Sequence, residues 1–236
     1  MQTASTASKV FVSFVFDDGK SSVYNTVFPF FESYGIVGDI ALVGSYVNRR
    51  GYLNSEHIKE LIKKGWSLGD HTFTHPDMNQ LSLEELSKEI ELNRKFAKKV
   101  FNYEFSYFVF PKSRMKPNHL SLVLSKYPCA FTGESRIVSN TIPFKGLLKR
   151  TEISTYEIIR FSMLRRNFFK ELIREISLAT SSTNYSWFIL FTHNVSNIPG
   201  IFDTPRNFFT KLISQLVEMD VKIESINCIL SKSELS

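Results

Sequence analysis

Two adjacent carboxylates, Asp17-Asp18, close the apolar run Val10 to Phe16 and are followed at once by Gly19. A second polar cluster, His71-Thr72-Phe73-Thr74-His75-Pro76, comes later in the chain. Carboxylates side by side leave a strand end in different directions, so one can ligate a metal while the other handles a proton. Two histidines four residues apart can bring both imidazoles to one ion, from a helical turn or a tight loop. Each motif alone has an ordinary reading, as a turn or as two surface histidines. Together, in this order, they are the minimum kit of a mononuclear metal hydrolase.

Such a kit needs a scaffold that brings distant strand ends together. Short apolar runs suited to strands occur at Val10–Phe16, Ile36–Val43, Trp66–Gly69, Phe105–Phe110, Cys129–Thr132, Leu147–Ile153, Trp187–Thr192 and Val221–Ile226. Amphipathic stretches separate them. Ser82-Leu83-Glu84-Glu85 is a capping box opening a helix towards Phe101, and Ser55 caps a shorter helix ending at Gly65. Thr204-Pro205 precedes a helix over Arg206–Met219, and Ser162–Ser177 carries Leu164, Phe168, Leu172 and Ile176 at helical spacing. Alternating strands and helices imply a parallel sheet, and six to eight repeats suit a closed barrel, with a doubly wound open sheet as the runner-up. Asp17 and Asp18, His71, Pro111-Lys112 and His193 all follow strands, at the C-terminal ends where barrel enzymes gather their chemistry.

At 236 residues without a linker or repeat, the chain reads as one α/β domain spanning 1–236. The 43% hydrophobic content with 22 phenylalanines excludes a disordered chain. The net charge of +6 is spread over dispersed lysines, without any nucleic-acid signature, and reads as a solvated basic surface. Cys129 and Cys228 sit in apolar, strand-like segments and read as buried free thiols. Met1 to Lys9 lacks a signal-peptide core, and no apolar run approaches the ~18 residues that a bilayer span needs. The expectation is a soluble, cytoplasmic protein, or an extracytoplasmic one if the chain is processed. His57 and His119 read as solvated helix histidines. Sequence leaves the oligomeric state open.

On Phe16-Asp17-Asp18-Gly19, on His71-Thr72-Phe73-Thr74-His75-Pro76 and on Leu190-Phe191-Thr192-His193, the chain resembles the polysaccharide deacetylases of carbohydrate esterase family 4, the NodB-homology enzymes. The resemblance runs from Val10 to Ile226 and implies a distorted (β/α)7 barrel. It implies Asp17 as general base and His193 as the general acid that protonates the departing amine. Asp18, His71 and His75 would hold a divalent metal, zinc first, with cobalt, nickel or manganese as alternatives. Thr72 would brace the metal loop, and the backbone N–H of Lys112 would help to stabilise the oxyanion. The implied reaction removes an N-acetyl group from a sugar in a glycan or lipid-linked saccharide and releases acetate. Alternatives are an O-acetyl esterase, a deformylase, or an inactive carbohydrate-binding member.

Two positions depart from the family pattern. The segment Val109-Phe110-Pro111-Lys112 puts valine where the family's R-x-P-Y motif supplies the arginine that pairs with the base. Arg150, in Leu148-Lys149-Arg150, resembles the L-P-R of some branches and is the expected replacement partner for Asp17. No aspartate occurs between Asp77 and Asp203. The carboxylate that would orient His193 is therefore missing, which leaves Glu152, a backbone carbonyl or packing alone to hold it.

Overall fold

A side chain on a parallel barrel strand is buried whichever way it points, so such strands read as continuous apolar runs. The first strand is such a case. In a computed structural model, which describes residues 9–232, β1 (Val10–Asp17) is buried along its whole length. It is followed by β2 (Asp39–Leu42), β3 (Ser67–Asp70), β4 (Tyr107–Val109), β5 (Cys129–Glu134), β6 (Gly146–Glu152) and β7 (Ser186–Thr192). All seven pair in sequence order and in parallel. β1 closes the ring on β7 through the register Val10↔Ser186 to Phe16↔Thr192. The closed ring is thus a distorted (β/α)7 barrel, and the open-sheet alternative falls. The distortion is concentrated at β3–β4, joined by the single register pair Asp70↔Phe108.

Alternation along the strands sorts the core into two layers. Val10, Val12, Phe14 and Phe16 face the helices, whereas Phe11 and Val15 join Tyr107, Val109, Phe131, Trp187, Ile189 and Phe191 inside the barrel. The same parity turns Asp17 inward at the C-terminal end of β1, and Arg150 inward on β6 behind Leu148. Gly69, inward on β3, has to be glycine. A Cβ there would lie 2.0 Å from the Tyr107 ring, inside any tolerable contact.

The outer layer comprises α1 (Phe28–Tyr34), α2 (Ser55–Lys63), α3 (Leu83–Phe101), α4 (Pro117–Leu124), α5 (Thr155–Met163), α6 (Phe168–Thr180) and α7 (Arg206–Val217). The capping box of α3 is formed by Ser82 and Glu85. Elsewhere local chemistry moves the expected boundaries. α2 is capped by Asn54, whose side chain accepts from His57 N, rather than by Ser55. Ser162–Ser177 is not one helix. α5 ends at Met163, Arg165 takes φ +55°, and Asn167 caps a new start by accepting from Lys170 N. A good N-cap residue inside a periodic stretch therefore breaks it. Thr204 lies in a two-residue bridge, β8 (Val195–Ser196) to β9 (Thr204–Pro205), with its hydroxyl bonded to Ile153 O and Thr192 Oγ1 rather than capping α7.

The expected eighth strand shrinks to β10 (Lys222–Ile223), which pairs with the part of β1 below its contact with β2. Ile226–Leu230 forms a short helix, α8, whose Ile226 and Ile229 enter the interior of the barrel. Cys228 consequently sits on an exposed helix face and is not buried, whereas Cys129 is. His119 is fully buried, with Nε2 at 3.1 Å from Leu81 O, and His57 is half-buried against the Tyr24 ring. Neither is simply solvated. No helix among the described residues is long and apolar enough to cross a membrane.

α8 rests on a buried carboxylate. Asp39 Oδ1 accepts from Ile226 N at 2.9 Å and from the Ser67 hydroxyl, and Oδ2 has no partner among the described residues. Burial raises Asp39 to about 7, although the bonds from Ser67, Ile226 N and Tyr107 oppose the rise. A carboxyl raised on folding contributes stability that is present below its unfolded value near 3.8 and lost as pH rises through about 7. The loss is at most about 4 kcal/mol at 1.36 kcal/mol per pKa unit. Urea unfolding should therefore show the wild-type protein losing stability between pH 5 and 8, and Asp39→Asn should flatten that loss. An identical slope in the variant would exclude Asp39 as its source.

Candidate active site

Both motifs meet at the C-terminal mouth of the barrel. Asp18, the first residue past β1, adopts φ +69° and brings Oδ1 to 3.8 Å from His71 Nε2 and 3.6 Å from His75 Nε2. The three ligand atoms lie within 4.8 Å of one another. His71 Nδ1 is 2.8 Å from Val109 O, and a carbonyl can only accept, so the proton sits on Nδ1 and Nε2 keeps its lone pair. Burial lowers His71 to about 4 and, with help from nearby cations, also lowers His75. Both rings are neutral near pH 7, so these contacts to Asp18 are not ion pairs. Asp18 Oδ1 is buried and has no hydrogen-bond partner among the described residues. A buried carboxylate oxygen with no donor, facing two imidazole lone pairs, fits a divalent cation and little else.

The loop that carries the histidines is tied down from behind. Thr72 Oγ1 donates to His71 O and accepts from His75 N, and Thr72 N donates to Asp70 Oδ1. Asp70 also accepts from Asn93 Nδ2 on α3 at 2.8 Å and from Tyr127 OH at 2.6 Å. Asn93 in turn donates to Leu42 O and accepts from Gly44 N, joining the ends of β2 and β3 to the helix layer. Asp18, Thr72, His75, Lys112 and Ser113 are five of the eight non-glycine residues with positive φ among the described residues. Each such conformation costs on the order of 1 kcal/mol, and their concentration here marks a loop shaped for a task.

Asp17 is buried and receives both arms of Arg150, Nη1 to Oδ1 at 2.7 Å and Nη2 to Oδ2 at 3.0 Å. The pairing expected from the sequence is thus present as a bidentate contact between β1 and β6. The guanidinium is itself buried and stacks 4.1 Å from the Phe191 ring centroid, which fixes its plane. Burial alone would raise the Asp17 carboxyl. Arg150, His71 and His193 outweigh it and hold the group below 3.8, so it is ionised at neutral pH.

Asp17, His71, His75, Lys112, Glu152 and His193 line one cavity of about 420 Å³. Lys112 sits in the turn Pro111–Ser113 at φ +54°. The orienting bond expected for His193 is not made, since neither Glu152 nor a carbonyl reaches it. Its Nδ1 is buried without a partner among the described residues, as is Glu152 Oε1. A second depression, about 470 Å³, lies on the outer surface, where Lys95 pairs with Glu91 and Lys98 with Glu104. It gathers no comparable set of catalytic groups.

The supporting residues Asp70, Asn93 and Tyr127 do not stand out in the sequence as site residues. Asn93 does leave a signal, as the one polar residue in the buried stripe Leu86, Ile90, Asn93, Ala97 of α3. Asp70 and Tyr127 leave none.

A sequence model described as Polysaccharide deacetylase matches residues 4–127, more than half of the 236. Among curated proteins, the predicted polysaccharide deacetylase YxkH of Bacillus subtilis is 26% identical over 103 residues, which is 44% of this chain and 37% of that protein. The chain thus spans well under half the length of this curated relative. Among solved structures, a family 4 acetyl xylan esterase from Clostridium thermocellum, in complex with cobalt, aligns with TM-score 0.60 at 15% identity, covering 92% of this chain and 88% of that one. A family 4 pseudoenzyme from Bacillus anthracis aligns with TM-score 0.62 at 14% identity, over 94% and 65%. At these identities the structural likeness concerns the fold.

Proposed function

The chain belongs to the polysaccharide deacetylase family, carbohydrate esterase family 4, and on that premise we propose that it hydrolyses the N-acetyl group of an amino sugar to acetate and a free amine. The observation that carries this reading is the division of labour between adjacent carboxylates. Asp17 is held ionised by Arg150, while Asp18 faces His71 and His75 with an unpartnered oxygen. Asp18, His71 and His75 would hold the divalent ion, zinc in our reading, although cobalt occupies the esterase named above. Such an ion supplies Lewis acidity, polarising the acyl carbonyl and acidifying water.

The chain's own residues supply the rest. Each Asp17 oxygen bonded to Arg150 keeps another lone pair, so the carboxylate can accept a proton from the attacking water without leaving its clamp. Water oxygen adds to the acyl carbon, and the carbonyl oxygen takes up negative charge. The backbone N–H of Lys112, presented by its left-handed turn, is our assignment for the donor to that oxygen. When the C–N bond breaks, His193 gives a proton to the nitrogen, because an unprotonated amine anion is too poor a leaving group.

An inactive carbohydrate-binding role is the second reading, and one observation favours it: the unpartnered His193 Nδ1. A substrate panel separates the possibilities. Zinc- or cobalt-supplemented protein should form acetate and new primary amines in equal amounts from N-acetylhexosamine oligomers. Acetate from O-acetylated glycans alone would replace amide by ester hydrolysis. Formate from N-formyl sugars alone would make it a deformylase. Binding without any product at full metal load would favour the inactive reading.

A further inference from the structure

Large apolar side chains with more than a third of their surface in water are scattered over most of this molecule. Beside the cavity mouth they are not. Tyr156, Ile159, Met163 and Leu164 on and just after α5, and Ile198, Ile201 and Phe202 in the β8–β9 loop, make seven of the thirteen such residues found among the described ones. The two segments touch, since Thr155 N donates to Asp203 O and Tyr156 N to Ile201 O, both at 2.8 Å. On α5 the spacing of Tyr156, Ile159 and Met163 places them on one helical face. Phe202 carries this surface into the catalytic cavity, which it lines, with its ring centroid 6.4 Å from that of His193. The result is one apolar strip leading from α5 to the catalytic histidine.

The strip has a shape and a charge. Met163 is 78% exposed and Ile198 91%, so these side chains stand out into solvent. Cations stand at both ends. Arg165 follows Leu164 and forms no ion pair among the described residues, and Arg206 lines the same surface depression as Ile198 and likewise pairs with no carboxylate among them. Protruding apolar side chains bordered by uncompensated arginines suit the boundary of an anionic bilayer, where the apolar tips enter the acyl region and the guanidiniums meet phosphate.

We propose that this strip docks the protein on an anionic membrane surface and brings the cavity mouth to a sugar carried on a membrane lipid. The identity of the sugar rests on the deacetylase reading, but the docking does not. In flotation with phosphatidylcholine vesicles containing about a third phosphatidylglycerol, the wild-type protein should float with the vesicles, and should stay behind with pure phosphatidylcholine. The double variant Met163→Glu, Leu164→Glu should reduce the floated fraction at least tenfold, and Arg165→Glu should do so several-fold. All three positions are exposed and outside the cavity, so thermal unfolding and acetate release from a short soluble oligosaccharide should match wild type. Wild-type protein that fails to float, or a double variant that floats equally well, would overturn the proposal. A wild-type dimer that the double variant dissociates would overturn it too, because the strip would then be a self-interface. Absence of acetate release with intact flotation would count against the deacetylase reading alone.

Discussion

Replacing Arg150 with methionine should lower kcat/KM at neutral pH by at least a hundredfold and move the acid limb of the pH–rate profile upward. In the wild-type protein, burial pushes the Asp17 carboxyl up, and the Arg150 guanidinium opposes that push more strongly than any other group. Methionine keeps the volume and removes the charge and both hydrogen bonds, so burial prevails and the carboxyl rises above its ordinary 3.8. The base is then protonated over more of the acidic range, and even when ionised it is no longer held in one plane. Stability should suffer as well, because removing one partner of a buried pair leaves an uncompensated charge, at about 3–5 kcal/mol. The sign of its pH dependence should invert. Wild-type Asp17, lowered on folding, contributes stability that is present above 3.8 and lost as pH falls through its folded value. In the variant the raised carboxyl contributes stability that is lost as pH rises. Arg150→Lys should recover part of the stability and less of the rate, since an ammonium cannot reproduce the bidentate fork. Near-normal turnover with an unmoved acid limb in Arg150→Met would show that Asp17 does not depend on this clamp.

The second large effect concerns the cation. Titration of metal-free protein with zinc should show one site per chain, and saturating zinc should raise the thermal midpoint, as expected for a ligand that binds only the folded state. Asp18→Ala and His71→Ala should each abolish the rise and the activity together. Because burial already lowers His71 to about 4 and His75 in the same direction, zinc affinity should vary little between pH 7 and 6, in contrast to a site built from ordinary histidines. An affinity that drops tenfold over that unit, or a zinc response that survives Asp18→Ala, would place the ion elsewhere.

The barrel was legible because its strands are buried on both faces and therefore stand out as apolar runs. Asp17 and His193 stood out by following apolar runs and, like Arg150, by resemblance to family motifs, and inward parity on their strands is what brings them to the mouth. Arg150 shows how far this goes, since a local triplet on the sixth strand indicated its contact with a residue 133 positions away. Features set by backbone angles were not legible. Asp18, Thr72, His75 and Lys112 all adopt positive φ, and the tertiary network of Asp70, Asn93 and Tyr127 braces the loop at Thr72, whose hydroxyl in turn holds His75 N. The break after Met163 was hidden by helical spacing that continued across Asn167, and α8 by β-branched residues that suit a strand equally well. For His193 the sequence left Glu152, a backbone carbonyl or packing open, and among the described residues neither its Nδ1 nor Glu152 Oε1 has a hydrogen-bond partner.

The most direct measurement compares wild-type protein with Asp17→Asn at equal, verified zinc content and follows acetate and primary amine released from N-acetylhexosamine oligomers. Asparagine keeps the shape of the side chain and cannot accept the proton. Wild type should release acetate and amine in equimolar amounts, and the variant at least a hundredfold less of both although its metal is intact. Equal release by the two proteins would contradict the assignment of Asp17 as the base, and with it the separate roles of the two adjacent carboxylates.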